Sequence, residues 1–286
     1  MKKLALLLGI VFCSNLFAAA ATDDVQAARQ IKGRIKPPAK DDVLIQTPFT
    51  WRMTGVTAAD ENKDHLAAFL AIMKNHVAIK IEQMNPPLLL EALTHLNSIR
   101  FRLLNLTDLD LSENQNFSSP LLEEMLKKIS HLAPNLNTLK VSNCDFRDEQ
   151  ARIISQTIPH LTTLDISENH IGPAGAAYIS RMTDLTDLDI WCNRIGDAGA
   201  ASISQMPHLR ILDIYDNDIG PAGAASTSAM TNLTNLDIGC NNIGPEGASS
   251  ISGMGNLTDL GIHYNHIGPS GRALLREKLP NTLIVF

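Results

Sequence analysis

The chain has 286 residues, 24 basic and 30 acidic side chains, a formal net charge of −6 and a hydrophobic share of 44%. That share is ordinary for a folded chain, the length suits one elongated domain, and the acidic balance argues against nucleic acid, whose phosphates need Lys and Arg. Cysteine usage excludes a disulfide framework, because beyond Cys13 only Cys144, Cys192 and Cys240 remain.

In chain order, residues 1–21 have the form of a secretory signal peptide. Lys2 and Lys3 make a basic start, residues 4–17 an apolar stretch too short to span a membrane comfortably, and residues 18–21 a run of Ala for cleavage. No other segment is apolar enough to cross a bilayer, so the mature chain is expected in the periplasm or outside the cell, without stable membrane insertion. Residues 22–47 are polar, with Pro37 and Pro38 among lysines and aspartates, and read as a linker or a loose N-terminal cap. Residues 48–105 read as degenerate N-terminal repeats or a cap. Residues 49–53 and 77–81 alternate like strands; residues 60–74 carry Leu66, Phe69, Leu70 and Met73 at helical spacing; and residues 87–96 form a helix with Pro at its start. Residues 96–105 are an extra strand or a long loop.

From residue 106 to 286 a repeat dominates. Leu161, Leu185, Leu209, Leu233 and Leu257 open successive copies 24 residues apart, and Asn169, Asn193, Asn217, Asn241 and Asn265 keep the same step. Each copy reads LxxLDIxxNxIG followed by small residues, with Leu106 and Leu136 opening longer copies upstream. In each LxxLDI the fourth and sixth positions alternate with a polar fifth, which is strand periodicity, and the helix that follows supplies the crossover a parallel strand needs. The Asn column is expected to bond backbone left unpaired at the strand exit and to stack into a ladder. Pro173, Pro221, Pro245 and Pro269 suit the first helical position, and Gly175–Ala176 and its equivalents let neighbouring helices approach. Ile179, Ile203, Ile251 and Leu275 plug the core from the helix side, and Thr227 in that column predicts a packing defect. Residues 280–286 read as a final capping strand. A fixed period in this range with LxxLxLxxNxL is the signature of a leucine-rich repeat solenoid, an α/β fold with parallel strands on the concave face and helices on the convex face.

The motif LxxLDIxxNxIGxAGAxxIS resembles the ribonuclease-inhibitor-like class of leucine-rich repeats. More narrowly it is similar to the GALA-type repeats of bacterial effectors, through the pairs Gly175–Ala176, Gly199–Ala200, Gly223–Ala224 and Gly247–Ala248; the last copy departs with Gly271–Arg272. The resemblance implies a horseshoe and a protein-binding module, commonly in host interaction and virulence. Some GALA proteins carry an F-box that recruits a ubiquitin ligase, and residues 85–96 have a superficial likeness to its opening, although too few residues precede the first clear repeat for the whole helical domain.

The register places Asp165, Asp189, Asp213 and Asp237 in one row of the concave face, about 5 Å apart on neighbouring strands. Between residues 161 and 271 the chain has 12 acids against Arg181, Arg194 and Arg210, which favours a basic or amphipathic protein partner. The row is either a scaffold choice of the repeat or a strip held for a cation. The seventh and eighth positions carry Trp191, Tyr215, Asp216, His263 and Tyr264 where earlier copies have Ser112, Ser142 and Ser167. Aromatics flanked by acids are the profile of a binding hot spot; the rival account is packing between strands. Cys192 and Cys240 share a column two strands apart, about 10 Å at the strand spacing, too far to bridge. No GxSxG, CxxC, HExxH, P-loop or GxGxxG accompanies these residues. His263 lies three residues from His266, which shares a column with His170, but the set lacks metal-ligand spacing. The expectation is therefore no catalytic site, no cofactor and no metal, and a monomeric exported protein that binds another protein. Its rivals are an F-box-type effector adaptor and a structural envelope component.

Overall fold

A computed structural model of the chain describes residues 35–36, 50–53, 78–81, 86–98 and 102–286. The expected signal peptide at 1–21 and the helix at 60–74 lie outside the described residues, as do nearly all of residues 22–47. Two compact units emerge, one of Met1–Asn114 with Lys127–Leu136, the other of Gln115–Leu126 with Asn137–Phe286. Among the described residues no helix is long and apolar enough to cross a membrane.

In the first unit, β1 (Ile35–Lys36) runs antiparallel to β2 (Thr50–Met53), and β2 runs parallel to β3 (Ala78–Ile81). Strand β3 is parallel in turn to β4 (Asp108–Asp110), with Ile79 opposite Leu109. Helix α1 (Pro86–Ser98) lies between β3 and β4 in the chain. It buries Leu89, Ala92, Leu93 and Leu96, four positions on one helical face. Ahead of β4, residues 102–107 form a turn, anchored by the Leu103 N–H on the Leu132 carbonyl at 2.7 Å. Helix α2 (Ser119–Leu132) gives its last residues, from Lys127, to this unit. The Asn114 amide donates to the carbonyls of Ile81 and Leu111 at 2.6 and 2.8 Å.

The second unit is a parallel sheet of β5 (Thr138–Lys140), β6 (Thr163–Asp165), β7 (Asp187–Asp189), β8 (Ile211–Asp213), β9 (Asn235–Asp237), β10 (Asp259–Gly261) and β11 (Leu283–Val285). Leu164, Leu188, Leu212, Leu236, Leu260 and Ile284 stand opposite one another, so the register follows the repeat. The crossovers are α3 (Asp148–Thr157), α4 (Pro173–Ile179), α5 (Gly196–Ile203), α6 (Pro221–Thr227), α7 (Gly244–Ile251) and α8 (Gly268–Lys278). Strands form the concave face and helices the convex one. Leu164, Leu188, Ile166, Ile190, Ile214 and Ile238 are fully buried between them. Each such side chain contributes roughly 1.5–3 kcal/mol of burial, and only because a neighbouring coil covers it.

The Asn column is the buried ladder that the spacing predicts. Asn241 donates its amide to the carbonyls of Ile214, Ile238 and Gly239, and its oxygen accepts the N–H groups of Asn217 and Ile219. One side chain thus saturates backbone on its own coil and on the one before it. Cys144 replaces this residue in its copy, with a thiol that donates to the Ser142 carbonyl at 3.4 Å. Close helix approach needs the small residues: a Cβ on Gly199 would lie 3.1 Å from that of Ala176 and 2.5 Å from that of Ile195. Thr227 corrects an expectation. It is 1% exposed, yet its hydroxyl donates to the Gly223 carbonyl at 3.0 Å, so the column tolerates it without an orphaned polar atom.

The helix starts hold a feature the motif does not announce. Asp148 and Asp197 stand where other copies have Pro. The carboxylate of Asp148 accepts the N–H groups of Gly172 and Gly175 at 2.7 and 2.9 Å, and that of Asp197 accepts those of Gly220 and Gly223 at 2.7 and 2.8 Å. Each aspartate therefore caps the helix of the following coil, filling N–H positions a helix start leaves open. Helices α4 and α6, which receive this cap, begin at Pro after an extended glycine. Helices α5, α7 and α8 instead begin on Gly196, Gly244 and Gly268 at φ of 57°, 62° and 68°, so Pro245 and Pro269 fall second.

Candidate functional site

The site is built from what each copy places before its Asn. Asp165, Asp189, Asp213 and Asp237 stand opposite one another in register on β6 to β9. Each also has a local task, since its carboxylate accepts the N–H two residues on: Ser167 at 3.2 Å, Trp191 at 3.4 Å, Tyr215 at 3.0 Å and Gly239 at 2.8 Å. The carboxylate thus shapes the strand exit, which is why the repeat uses Asp there whatever else the row does. Where the row reaches Gly261, a Cβ would fall 2.5 Å from the Asp237 carboxylate. Asp237 leans across the gap, and only glycine admits it.

Crowding alters the row's charge. Burial, then the Asp165 and Asp213 carboxylates, push Asp189 up to about 7, against the opposing Trp191 N–H. Burial pushes Asp213 up to about 6 against the Tyr215 N–H, with Asp237 and Asp165 adding to the rise. Burial also raises Asp187, offset in part by Lys140. At neutral pH the strip therefore carries less negative charge than its aspartates count.

Above the row stand the rings. Trp191 and Tyr215 meet edge to face, 6.5 Å between centroids; Tyr215 and His263 lie 5.4 Å apart, and His263 and Tyr264 5.2 Å apart. Tyr215 and His263 come from strands two apart, and they close over Gly239, where a Cβ would sit 2.9 Å from each. Interstrand packing and exposure are both real here: Trp191, Tyr215 and His263 are half-buried, while Asp216 is exposed and Tyr264 is 76% exposed. Among the described residues, His263 Nδ1 is the one buried side-chain N or O atom without a hydrogen-bond partner; such an atom costs about 1–3 kcal/mol and needs a reason to persist. The equivalent position of an earlier copy is small and self-satisfied: the Ser167 hydroxyl donates to the Asp165 carboxylate at 2.6 Å and shares a hydrogen bond with the Ser142 hydroxyl at 3.0 Å.

The eighth position sits in left-handed backbone throughout. Glu168, Cys192, Asp216, Cys240 and Tyr264 have φ of 51–55°, a conformation unusual for a bulky side chain. Cys192 and Cys240 are free, half-buried thiols. Burial, then Asp216 and Glu168, push the Cys192 thiol up, so it stays protonated and unreactive. Cys240 Sγ and the Tyr215 hydroxyl share a hydrogen bond of 2.8 Å, which with burial pushes that phenol up to about 12 and fixes the ring. Among the described residues no group of three or more His, Cys, Asp or Glu is arranged to hold a metal ion.

Sequence reasoning missed the third position of the strand. It carries Asp187, Ile211, Asn235, Asp259 and Leu283 on the same concave face. The available signal was Ile211 and Leu283, apolar where neighbouring copies are polar.

A family model described as Leucine Rich repeat matches residues 157–180, 181–204, 205–226 and 229–252. These are leucine-rich repeats. Solved structures resemble the chain at low identity. An internalin of Listeria monocytogenes is 19% identical, with 77% of this chain and 76% of that chain covered and a TM-score of 0.42. The leucine-rich repeat ectodomain of the Arabidopsis receptor kinase HAESA, solved in complex with an N-terminally extended IDA peptide hormone, is 17% identical with a TM-score of 0.46. There 93% of this chain is covered but only 42% of that one, so this chain spans less than half its length. No curated protein sequence matches the chain.

Proposed function

We propose that this is an exported bacterial leucine-rich repeat protein, with repeats of the ribonuclease-inhibitor-like, GALA-like kind, that binds another protein on its concave face and catalyses nothing. The recognition patch is Trp191, Tyr215, Asp216, His263 and Tyr264, above the carboxylates of Asp165, Asp189, Asp213 and Asp237. The single observation that carries the reading is the chain of ring contacts from Trp191 to Tyr264, ending on an exposed tyrosine and including a buried ring nitrogen with no partner. Rigid aromatic side chains already held by their neighbours lose little conformational freedom on binding, which is why they dominate hot spots. The partner is basic or amphipathic, met by a monomeric binder in the periplasm or outside the cell, in host interaction. The order β3, α1, β4 with parallel strands favours repeats before residue 110 over a compact adaptor module there.

The test immobilises the chain without residues 1–21 and exposes it to host lysate and to periplasmic extract. A basic protein is expected to be retained by the wild type and lost with the Trp191→Ala, Tyr215→Ala double variant, at an unchanged melting point. Retention of the same protein by the double variant moves recognition elsewhere, and a collapsed melting point reassigns the rings to the core.

A further inference from the structure

The concave face holds a second feature beside the rings. Among the described residues five large hydrophobic side chains are exposed, and three of them, Ile211 (42%), Leu283 (67%) and Val285 (53%), line one open groove of about 310 Å³ across β8 to β11. Between these apolar ends lie Asp213, Asp237 and Asp259, and no lysine or arginine lines the groove. Its middle is carboxylate, because Gly261 has no side chain and the Asp237 carboxylate lies over it, 2.5 Å from where a Cβ would stand. Asp259 is held in place by the Asn235 amide at 3.0 Å and the Thr258 hydroxyl at 2.7 Å. An apolar patch rimmed by polar groups is a mark of an interaction surface, and one with fixed carboxylates at its centre has room there for one cation.

We infer that this groove takes an extended segment of the partner protein in the pattern apolar–x–basic–x–apolar, lying across the strands. From β8 to β11 is three strand steps, about 14 Å at the usual spacing. Four residues of extended chain cover nearly the same distance, and side chains two and four residues apart fall on one face. The first apolar side chain rests on Ile211, the last on Leu283 and Val285, and the basic one between them meets Asp237 and Asp259 over Gly261. The inference rests on the reading of the concave face as the binding face and shares Asp237 with that patch, but Ile211, Asp259, Leu283 and Val285 lie outside it.

The experiment uses a fluorescent fifteen-residue probe of Gly and Ser with the core Leu-Ser-Arg-Ser-Leu, read by anisotropy against the full chain. The wild type is expected to bind it, and to bind a probe with Glu for Arg at least about tenfold more weakly. Moving the two leucines side by side, or testing Ile211→Ser or Asp259→Asn, is expected to weaken binding by about threefold or more each, at unchanged melting points. Leu283→Ser is the second variant should Ile211→Ser unfold. Trp191→Ala with Tyr215→Ala is expected to leave probe affinity within about twofold, so loss there and not at Ile211 overturns the groove while sparing the ring patch. Equal affinity for the Arg and Glu probes, or for spaced and adjacent leucines, overturns it too. Self-association of the wild type in sedimentation, abolished by Ile211→Ser and indifferent to probe, makes the occupant a second copy and also overturns it.

Discussion

Two layers of the same turn behave differently. At the strand exits every copy from Asn169 to Asn265 carries one residue, buried, whose amide donates to a carbonyl of its own coil and to one of the preceding coil. Two residues earlier, on the concave face, the copies read Ser167, Trp191, Tyr215, Gly239 and His263. Uniformity marks what the stack needs in order to exist; variety marks positions the stack leaves free. Asp165 to Asp237 are the instructive middle case, uniform because each closes its own turn, yet exposed enough to act on a partner.

The contrast is sharpened by breaking it from either side. Asn241→Ala strips three donated and two accepted bonds from a dry interface. It is expected to cost about 3 kcal/mol, a fall of roughly 6–12 °C in a thermal melt followed by circular dichroism; a loss below 2 °C would make the ladder dispensable. Asp197→Ala removes one cap and is expected to cost about 1–2 kcal/mol, read as faster amide exchange at Gly220 and Gly223 and nowhere in α4.

Asp189→Asn acts in the opposite direction and depends on pH. Its folded carboxyl titrates near 7, above the ordinary 3.8, so the stability it contributes is full below the unfolded value and lost as pH rises through about 7. The Asn variant is therefore expected to melt a few degrees higher than wild type at pH 8, about 1 kcal/mol for a half-buried group partly screened by solvent, with the gap closing by pH 4. A gap that widens on acidification would reverse the assignment. The same titration predicts weaker capture of a basic partner at pH 5.5 than at pH 8. The smallest effect belongs to Tyr264→Asn, which relieves a bulky residue at φ 55° and is expected to add a few tenths of a kcal/mol while weakening binding; chemical denaturation and the capture assay read the two separately.

The repeat period made β6 to β11, the Asn ladder and the close helix approach at Gly199 readable in advance, because each follows from local pattern plus stacking. Thr227 misled because a helix offers its hydroxyl the carbonyl one turn back, an option a size argument ignores. The Asp148 and Asp197 caps were hidden because their targets lie 23 to 27 residues on. Rows five, seven and eight emerged from register alone. The groove did not, since it depends on how far Ile211 and Leu283 stand out of the sheet and on the Asp237 carboxylate lying over Gly261. Nor did the partial neutrality of Asp189, which is a property of burial rather than of spacing.

Asp148 ties α3 to α4 and Asp197 ties α5 to α6, while α5, α7 and α8 start on left-handed glycines without such a tie. From α3 to α6 the stack is thus fastened in doublets, like a folding rule with every second joint pinned. Pulled from its ends, it should first open the unpinned seams between α4 and α5, between α6 and α7 and between α7 and α8, leaving the two pinned pairs to yield last.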